Sequence, residues 1–357
     1  MKLKKVRKTA LVIGVIFGFM FSLLIFNFHA PVASAAEPIE LSMAPTAAPP
    51  PPQLGLVRAI DEQMKFLEKK SNGRIKITCY WGSSLADAKD LVKATQTGIC
   101  DLAVLTASYE PGKLPLSNVS YMPGIGTNMW TRIKAFWDLM NQDPLLSELT
   151  QYDLRPLSVV IIPEVNLLSR KPMRTLAEIK GKKIRAGGLQ ADQILALGGV
   201  PIAMSPQEEY DALKKGLTDA STAPPMAISD FKFYEAAKYL TLFKFGCRLQ
   251  TMVIGDRALK KIPADLQKIF WDSADDLLKI AYEVDTADHE KIMNRLKEND
   301  VVIFEPSDAD AAALMDIQAE LCEKWAAEME DKGHPGKKIL ADYRALVDKY
   351  EKINPYK

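Results

Sequence analysis

The sequence predicts an α/β fold in two lobes, joined by one long helix. Three observations carry this. Short apolar runs of strand character alternate with amphipathic helical stretches, and no hairpin signal separates them, which requires parallel pairing through right-handed crossovers. That alternation runs through once before Leu157 and begins again after it. Finally, Leu266, Phe270, Leu277, Ala281 and Val284 recur at helical spacing to about Leu296, with no Gly or Pro after Pro263. At 1.5 Å per residue that is roughly 50 Å of helix, longer than one compact lobe. A chain of 357 residues has room for two domains with a real core.

The chain opens on Lys2, Lys4, Lys5, Arg7 and Lys8, follows with an apolar run from Ala10 to Phe28, and then gives Ala33-Ser34-Ala35-Ala36. This basic, apolar, small-residue order reads as a secretory signal occupying 1–36. Its removal takes the formal net charge from +1 to −4. Ile39–Ala44 then reads as a strand, broken by Pro49-Pro50-Pro51-Pro52. Val57, Ile60, Met64 and Leu67 mark a helix, and Gly73 stands where it should stop. Arg74–Tyr80 alternates as a strand. Ser84-Leu85-Ala86-Asp87 is a capping pattern that opens a helix ending near Gly98, and Ile99–Leu105 is a further strand. In the second unit Val159–Pro163 is a strand. Thr175-Leu176-Ala177-Glu178 caps a single turn before Gly181, and Lys182–Ala186 is another strand. Ser205-Pro206-Gln207-Glu208 combines a cap, a proline at the first helical position and a capping-box Glu. Two amphipathic helices, about 308–331 and 335–351, close the chain. The expected organisation is lobe I from 37–160 plus 251–290, and lobe II from 161–250 plus 291–357 with the C-terminal helices.

Composition excludes much. Lys and Arg number 46 against 45 Asp and Glu, so there is no excess of basic residues for a nucleic-acid footprint. No phosphate-cradling glycine loop, dinucleotide fingerprint, His-Glu-x-x-His or Gly-x-Ser-x-Gly elbow is present. Past the signal only His289 and His334 remain, both among charged residues and read as solvated. The pairs Asp275-Asp276 and Glu208-Glu209 sit on Lys-rich helices and read as solvated faces rather than acid–base pairs. Cys79, Cys100, Cys247 and Cys322 match no metal spacing; buried thiols are the favoured reading, with one bridge of undetermined pairing as the alternative. No cofactor and no enzymatic chemistry are expected. What survives is an exported two-lobe chain with a cleft for a small ligand.

One segment carries a resemblance. Ser169–Ala186 reads S-R-K-P-M-R-T-L-A-E-I-K-G-K-K-I-R-A, and the pattern continues through Ala196-Leu197-Gly198, Pro201, Ala203-Met204, Tyr210, Gly216 and Asp219. It is renewed at Phe231–Glu235, Lys238-Tyr239-Leu240 and Ile262-Pro263, with Ser71–Arg74 and Gln96–Ala103 matching upstream. In this the chain resembles the solute-binding proteins of TRAP transporters, the DctP-like family, over roughly 37–300. The resemblance implies a class II-like periplasmic-binding-protein clamshell with a long helix spanning both lobes. It implies a monomeric periplasmic receptor that captures an organic acid anion and hands it to a sodium-coupled TRAP membrane permease. Readings of another kind are a clamshell protein serving an ATP-driven importer or sensor kinase, and a secreted enzyme.

The family's arginine of the Lys-Ile-Arg strand is matched by Arg185. Its planar fork suits a bidentate carboxylate and stays charged at any working pH. Departures from the pattern bear on the ligand. The family follows Asp219 with Gly-Gln-Glu-Asn-Pro, where the Asn helps hold the ligand; here Ala220-Ser221-Thr222-Ala223-Pro224 puts Ala223 at that place, next to Pro224. Where some members carry a further arginine, this chain has Val165 and Asn166. Arg248 falls on the hinge-like strand, where a neutral polar residue is common, and could supply a second cation. The expected ligand is therefore a monocarboxylate, or an acid with an apolar or aromatic body, rather than a hydroxylated sugar acid. Thr46, Trp81 and Tyr109 follow the first three strands and are candidate pocket residues, since ligands in open α/β sheets bind beyond the carboxyl ends of strands.

Overall fold

The computed structural model describes residues 37–47, 55–126, 128–204 and 206–356. The expected signal at 1–36 and the proline run lie outside the described residues. In chain order the elements are β1 Ile39–Ala44, α1 Leu56–Lys70, β2 Ile75–Cys79, α2 Leu91–Thr97, β3 Leu102–Leu105, α3 Met129–Met140, α4 Leu145–Thr150 and β4 Leu154–Ile162. There follow β5 Asn166–Ser169, β6 Lys183–Arg185, α5 Leu189–Ala196, β7 Val200–Ile202, α6 Pro206–Lys215, β8 Ala220–Ala223, α7 Pro225–Asp230 and β9 Tyr239–Thr241. The chain then runs through β10 Arg248–Gly255, α8 Asp256–Leu259, α9 Ala264–Asp272, α10 Ala274–Glu298, β11 Val302–Phe304, α11 Asp308–Asp331 and α12 Gly336–Lys352.

Two sheets result, in the strand orders β2-β1-β3-β10-β4 and β11-β9-β5-β8-β6-β7. The pairs β1–β2, β1–β3, β6–β7 and β6–β8 are parallel, as the helix-separated strands require. The antiparallel pairs are β3–β10, β5–β8, β5–β9 and the long strands β4 and β10, the last two pairing from Arg248 opposite Ile162 to Gly255 opposite Leu154. Beyond that ladder the chain crosses from one sheet to the other twice, at 163–165 and 242–247. The crossings are bonded to each other: the Val165 amide donates to the Gly246 carbonyl at 2.9 Å, and the Phe245 amide to the Val165 carbonyl at 2.8 Å.

The long helix is interrupted where the sequence shows no breaker. α9 ends at Asp272 and α10 starts at Ala274, with Ser273 between them at φ −97°, ψ −3°. The Ser273 hydroxyl donates to the Ile269 carbonyl at 2.5 Å, the kind of back-bonding that bends helices. Phe270 and Leu277 on either side of the bend both bury in one core of the first sheet. α10 alone, 25 residues and about 37 Å long, still spans the two sheets. Leu278 and Ala281 pack in the first sheet's other core, and Ile292 and Leu296 join the core of the second.

Two further expectations need correction. The helix expected from Ser84 begins at Leu91 instead, after a turn at Asp87–Asp90. Its start is capped from a distance: the Val92 amide donates to the Glu110 carboxylate at 2.8 Å. The C-terminal helices, expected with lobe II, bury Trp325, Ala326, Ile339, Leu340 and Tyr343 among Phe136, Leu139 and Met140 of α3, in the first sheet's core. Amphipathicity showed which face of these helices is apolar but not which lobe covers it. The cysteines carry no bridge: all four are free, three of them buried. Burial pushes the thiols of Cys79 and Cys247 up to about 12, which leaves them inert.

Candidate functional site

A cavity of about 840 Å³ opens between the two sheets. From the first sheet's side it is lined by Ser108, Tyr109, Tyr121, Ile162 and Arg248. From the second come Arg185, Met204, Glu209, Thr222, Ala223 and Pro224, and Trp325 and Met329 of α11 close one side. Phe231 and Phe233, stacked with centroids 5.5 Å apart, add an aromatic wall. The lining is mainly apolar with a few polar groups at fixed places, which suits a small organic ligand.

Arg185 is fixed by the short parallel strands around it. β6 lies between β7 and β8, in register with Ile202 on one side and Ser221 on the other. The Arg185 carbonyl accepts from the Thr222 hydroxyl at 3.1 Å. Its guanidinium is held along one edge. Nε and Nη2 donate to the Met204 carbonyl at 3.3 and 3.1 Å, and Nε pairs with Glu209 Oε2 at 3.2 Å. Nη1 reaches the Thr222 carbonyl at 3.5 Å. A guanidinium has five N–H groups, so one on each terminal nitrogen stays without a partner among the described residues. The side chain is 20% exposed, on a cavity wall.

Glu209 is the residue the sequence reading missed. It was read as part of a solvated pair, yet its side chain is only 2% exposed. The signal was present: Ala212 and Leu213, three and four residues on, are both buried and put Glu209 on the inward face of α6. Ser221 donates to its other oxygen. Burial raises its carboxyl above the ordinary range, and the charge of Arg185 opposes that rise.

The other candidates divide. Tyr109, Arg248, Ala223 and Pro224 line the cavity with Arg185. Asn166 does not: it is buried, its Nδ2 donates to the Glu164 carbonyl at 3.2 Å, and its Oδ1 accepts from the Lys244 amide at 3.0 Å. The first braces Asn166 within its own crossing and the second ties that crossing to the other, which is a structural job. Trp81 packs at the margin of the first sheet's core, and Thr46 is half-buried at the end of the described β1 segment; neither is on the lining. Position after a strand brought them forward, but β1 and β2 lie on the far side of the sheet from β10 and β4. Phe231 and Phe233 fall in a stretch that carries the resemblance but has no site role attached to it, and Tyr121 and the α11 side chains have no motif to mark them. Among the described residues no cluster of His, Cys, Asp and Glu could hold a metal ion.

Two α/β lobes joined by paired crossings, with a cavity of this kind between them, define a solute-binding receptor. The chain belongs to bacterial extracellular solute-binding protein family 7, DctP, whose profile matches residues 56–329. It is 26% identical over 268 residues to a solute-binding protein of Albidiferax ferrireducens, covering 72% of this chain and 74% of that one. A TRAP solute-binding protein of Rhodoferax ferrireducens, solved with copurified benzoate, superposes with a TM-score of 0.76 at 22% identity, over 88% of this chain and 99% of that one. A TRAP periplasmic solute-binding protein of Bordetella bronchiseptica, solved with bound (R)- and (S)-mandelate, gives 0.74 at 22% identity, over 87% and 99%. The fold and family are those of transport receptors of the TRAP kind and not of enzymes.

Proposed function

We propose that this receptor captures an organic acid anion with an apolar or aromatic body, and that Arg185 holds the carboxylate. The observation that carries the reading is the orientation of Arg185. One edge of its guanidinium is fixed by Met204 and Glu209, while its terminal nitrogens keep N–H groups without a partner on the wall of a mainly apolar cavity. A preorganised fork of this kind recognises a carboxylate bidentately. Ala223 supports an apolar ligand body, because it presents a methyl group where an amide would demand polar partners. The benzoate and mandelate bound by the two solved relatives are acids of this type.

In this reading the leader at 1–36 is removed on export, and the mature protein works in the periplasm as a monomer. It closes by motion of its two lobes about the bonded crossings at 163–165 and 242–247. It delivers its ligand to a sodium-coupled TRAP permease. A thermal-shift screen of the mature protein against organic acids tests the ligand class. A true ligand at 100 times its dissociation constant adds about 2.7 kcal/mol of stability. If aliphatic and aromatic carboxylates all leave the melting temperature unchanged while sugars or amines raise it, the reading is wrong.

A further inference from the structure

The two lobes treat the cations at their outer ends differently. At the end of the first sheet away from the cavity, cations are paired. Arg74 meets Asp265 at 2.6 Å, Lys261 meets Asp101 at 2.8 Å and Arg155 meets Asp256 at 3.0 Å. In the second sheet β6, β7 and β8 run parallel, so they begin at the end opposite Arg185, and antiparallel β5 finishes there. Backbone hydrogen bonds stitch that end into one row. The Arg170 amide donates to the Asp219 carbonyl at 3.1 Å, Asp219 to the Lys183 carbonyl at 2.7 Å, and Val200 to the Lys182 carbonyl at 2.8 Å. Arg170, Lys171, Lys180, Lys182 and Lys183 are exposed along it, and their side chains make no ion pair or hydrogen bond among the described residues. The neighbouring acids are engaged elsewhere: Asp219 accepts from the Lys183 amide, Asp211 pairs with Lys215, and Glu178 caps its own turn.

Apolar side chains protrude among these cations. Leu217, in the loop before β8, is 64% exposed, Leu195 in the last turn of α5 is 63% exposed, and Val200 at the start of β7 is 44% exposed. One exposed leucine is ordinary, but apolar side chains interleaved with unpaired cations match a surface that is anionic outside and apolar beneath. A soluble polyanion would use the charges and leave the leucines in water. We propose that this end of the second lobe docks on an anionic bilayer, with its cations on the phospholipid phosphates and Leu195, Val200 and Leu217 at the headgroup boundary. Residues 37–357 carry a formal charge of −4, so the attraction comes from how charge is distributed and not from its total. β6 has Lys183 at its start and Arg185 at its end, so a lobe docked in this way keeps the cavity clear of lipid and open to ligand.

Co-sedimentation of residues 37–357 with vesicles tests the surface. This chain contains both sheets and omits the apolar run at 10–28, which would itself partition into lipid. The probes are vesicles of phosphatidylcholine alone and of phosphatidylcholine with about one third phosphatidylglycerol. At about 50 mM salt the anionic vesicles should bind at least tenfold more strongly than the neutral ones, and about 500 mM salt should erase the difference. Lys171→Gln, Lys182→Gln and Lys183→Gln together should cut that binding tenfold or more, and Leu217→Ser alone about threefold. The same loss of charge on the C-terminal helices, by Lys324→Gln, Lys338→Gln and Lys349→Gln, should leave it within twofold. All these side chains are exposed, and an unchanged melting temperature checks that each variant keeps its fold. Equal binding to both kinds of vesicle, no binding at low salt, or equal losses in the two triple variants would overturn the proposal. Retention on heparin without vesicle binding assigns the surface to an acidic macromolecule and refutes the lipid equally. None of these outcomes depends on which acid the cavity takes.

Discussion

Replacing Glu209 by Gln gives the sharpest test of how the Arg185 end of the cavity works. Glu209 lies 3.2 Å from Arg185 Nε, so a ligand carboxylate on the terminal nitrogens shares one guanidinium with a second carboxylate. At a separation of roughly 6 Å and an effective dielectric of about 20, two such charges repel by about 3 kcal/mol. The Gln variant removes that repulsion and keeps an oxygen for the Ser221 hydroxyl. Some of the gain is lost because Arg185 is held less firmly, so affinity at pH 8 should improve about tenfold to a hundredfold, or roughly 1.4–2.8 kcal/mol. The pH dependence fixes the sign. Burial already holds Glu209 above the ordinary carboxylate value, and a bound anion raises it further. Parent affinity should therefore increase as the pH is lowered through that range, as Glu209 takes up a proton and stops repelling the ligand. In Glu209→Gln the curve should be flat, and the two proteins should converge at acidic pH. Calorimetry from pH 5 to pH 8, with an acid confirmed by the thermal-shift screen, reads both effects. Weaker binding by the variant at every pH would refute the repulsion argument and make Glu209 a positioning group for Arg185.

Other perturbations have equally definite outcomes. Arg185→Ala should cost about 2–5 kcal/mol of binding, and Arg185→Lys should also weaken it because an ammonium cannot form the bidentate fork; both are read by calorimetry on variants that still melt cooperatively. Ala223→Asn should leave affinity for an apolar acid unchanged or reduced, since it turns an amide toward the ligand body. Asp285 is pushed up to about 7 from an ordinary 3.8, first by burial and then by the charge of Asp288. The folded state thus keeps a proton that the unfolded chain has released, and stability falls as the pH rises from about 4 through 7. Asp285→Asn should flatten that slope and gain on the order of 2–4 kcal/mol at pH 8 in urea unfolding. A Cβ at Gly336 would stand 2.4 Å from the Ala326 carbonyl oxygen and 2.5 Å from Met329 Cβ, so Gly336→Ala should force α11 and α12 apart and lose about 1–3 kcal/mol of stability.

Local signals were legible in the sequence, and distant pairings were not. The strand that carries Arg185 and the capped turn at Thr175–Glu178 follow from short-range patterns, and the structure has them where the sequence puts them. The antiparallel pairing of β4 with β10 brings together segments about ninety residues apart, and no local period announces it. The same blindness explains the C-terminal helices: their apolar faces were evident, but the lobe that covers them is a tertiary fact. At the cavity, Arg185 was found because a motif marks it. Glu209 was missed because two adjacent acids on a helix look alike in sequence, although only one faces inward. Asn166 was brought forward because it lies beside the place where some family members carry a further arginine, and its side chain proves to be occupied in tying one crossing to the other.

The place of β10 within the first sheet bears on how the chain is made. It lies between β3 and β4, both completed by residue 162, yet β10 itself is residues 248–255. A nascent chain that has emerged only as far as β9 holds a first sheet split in two, with the inner edges of β3 and β4 unpaired and the faces beside them exposed to water. Such a half-built sheet gains little from collapsing early, since contacts so far apart in sequence must wait for their partner to arrive. The first lobe therefore cannot be completed from the N-terminal half alone, and translation must deliver most of the second lobe before the first can close. This order of assembly keeps the polypeptide open until nearly three quarters of it has been made.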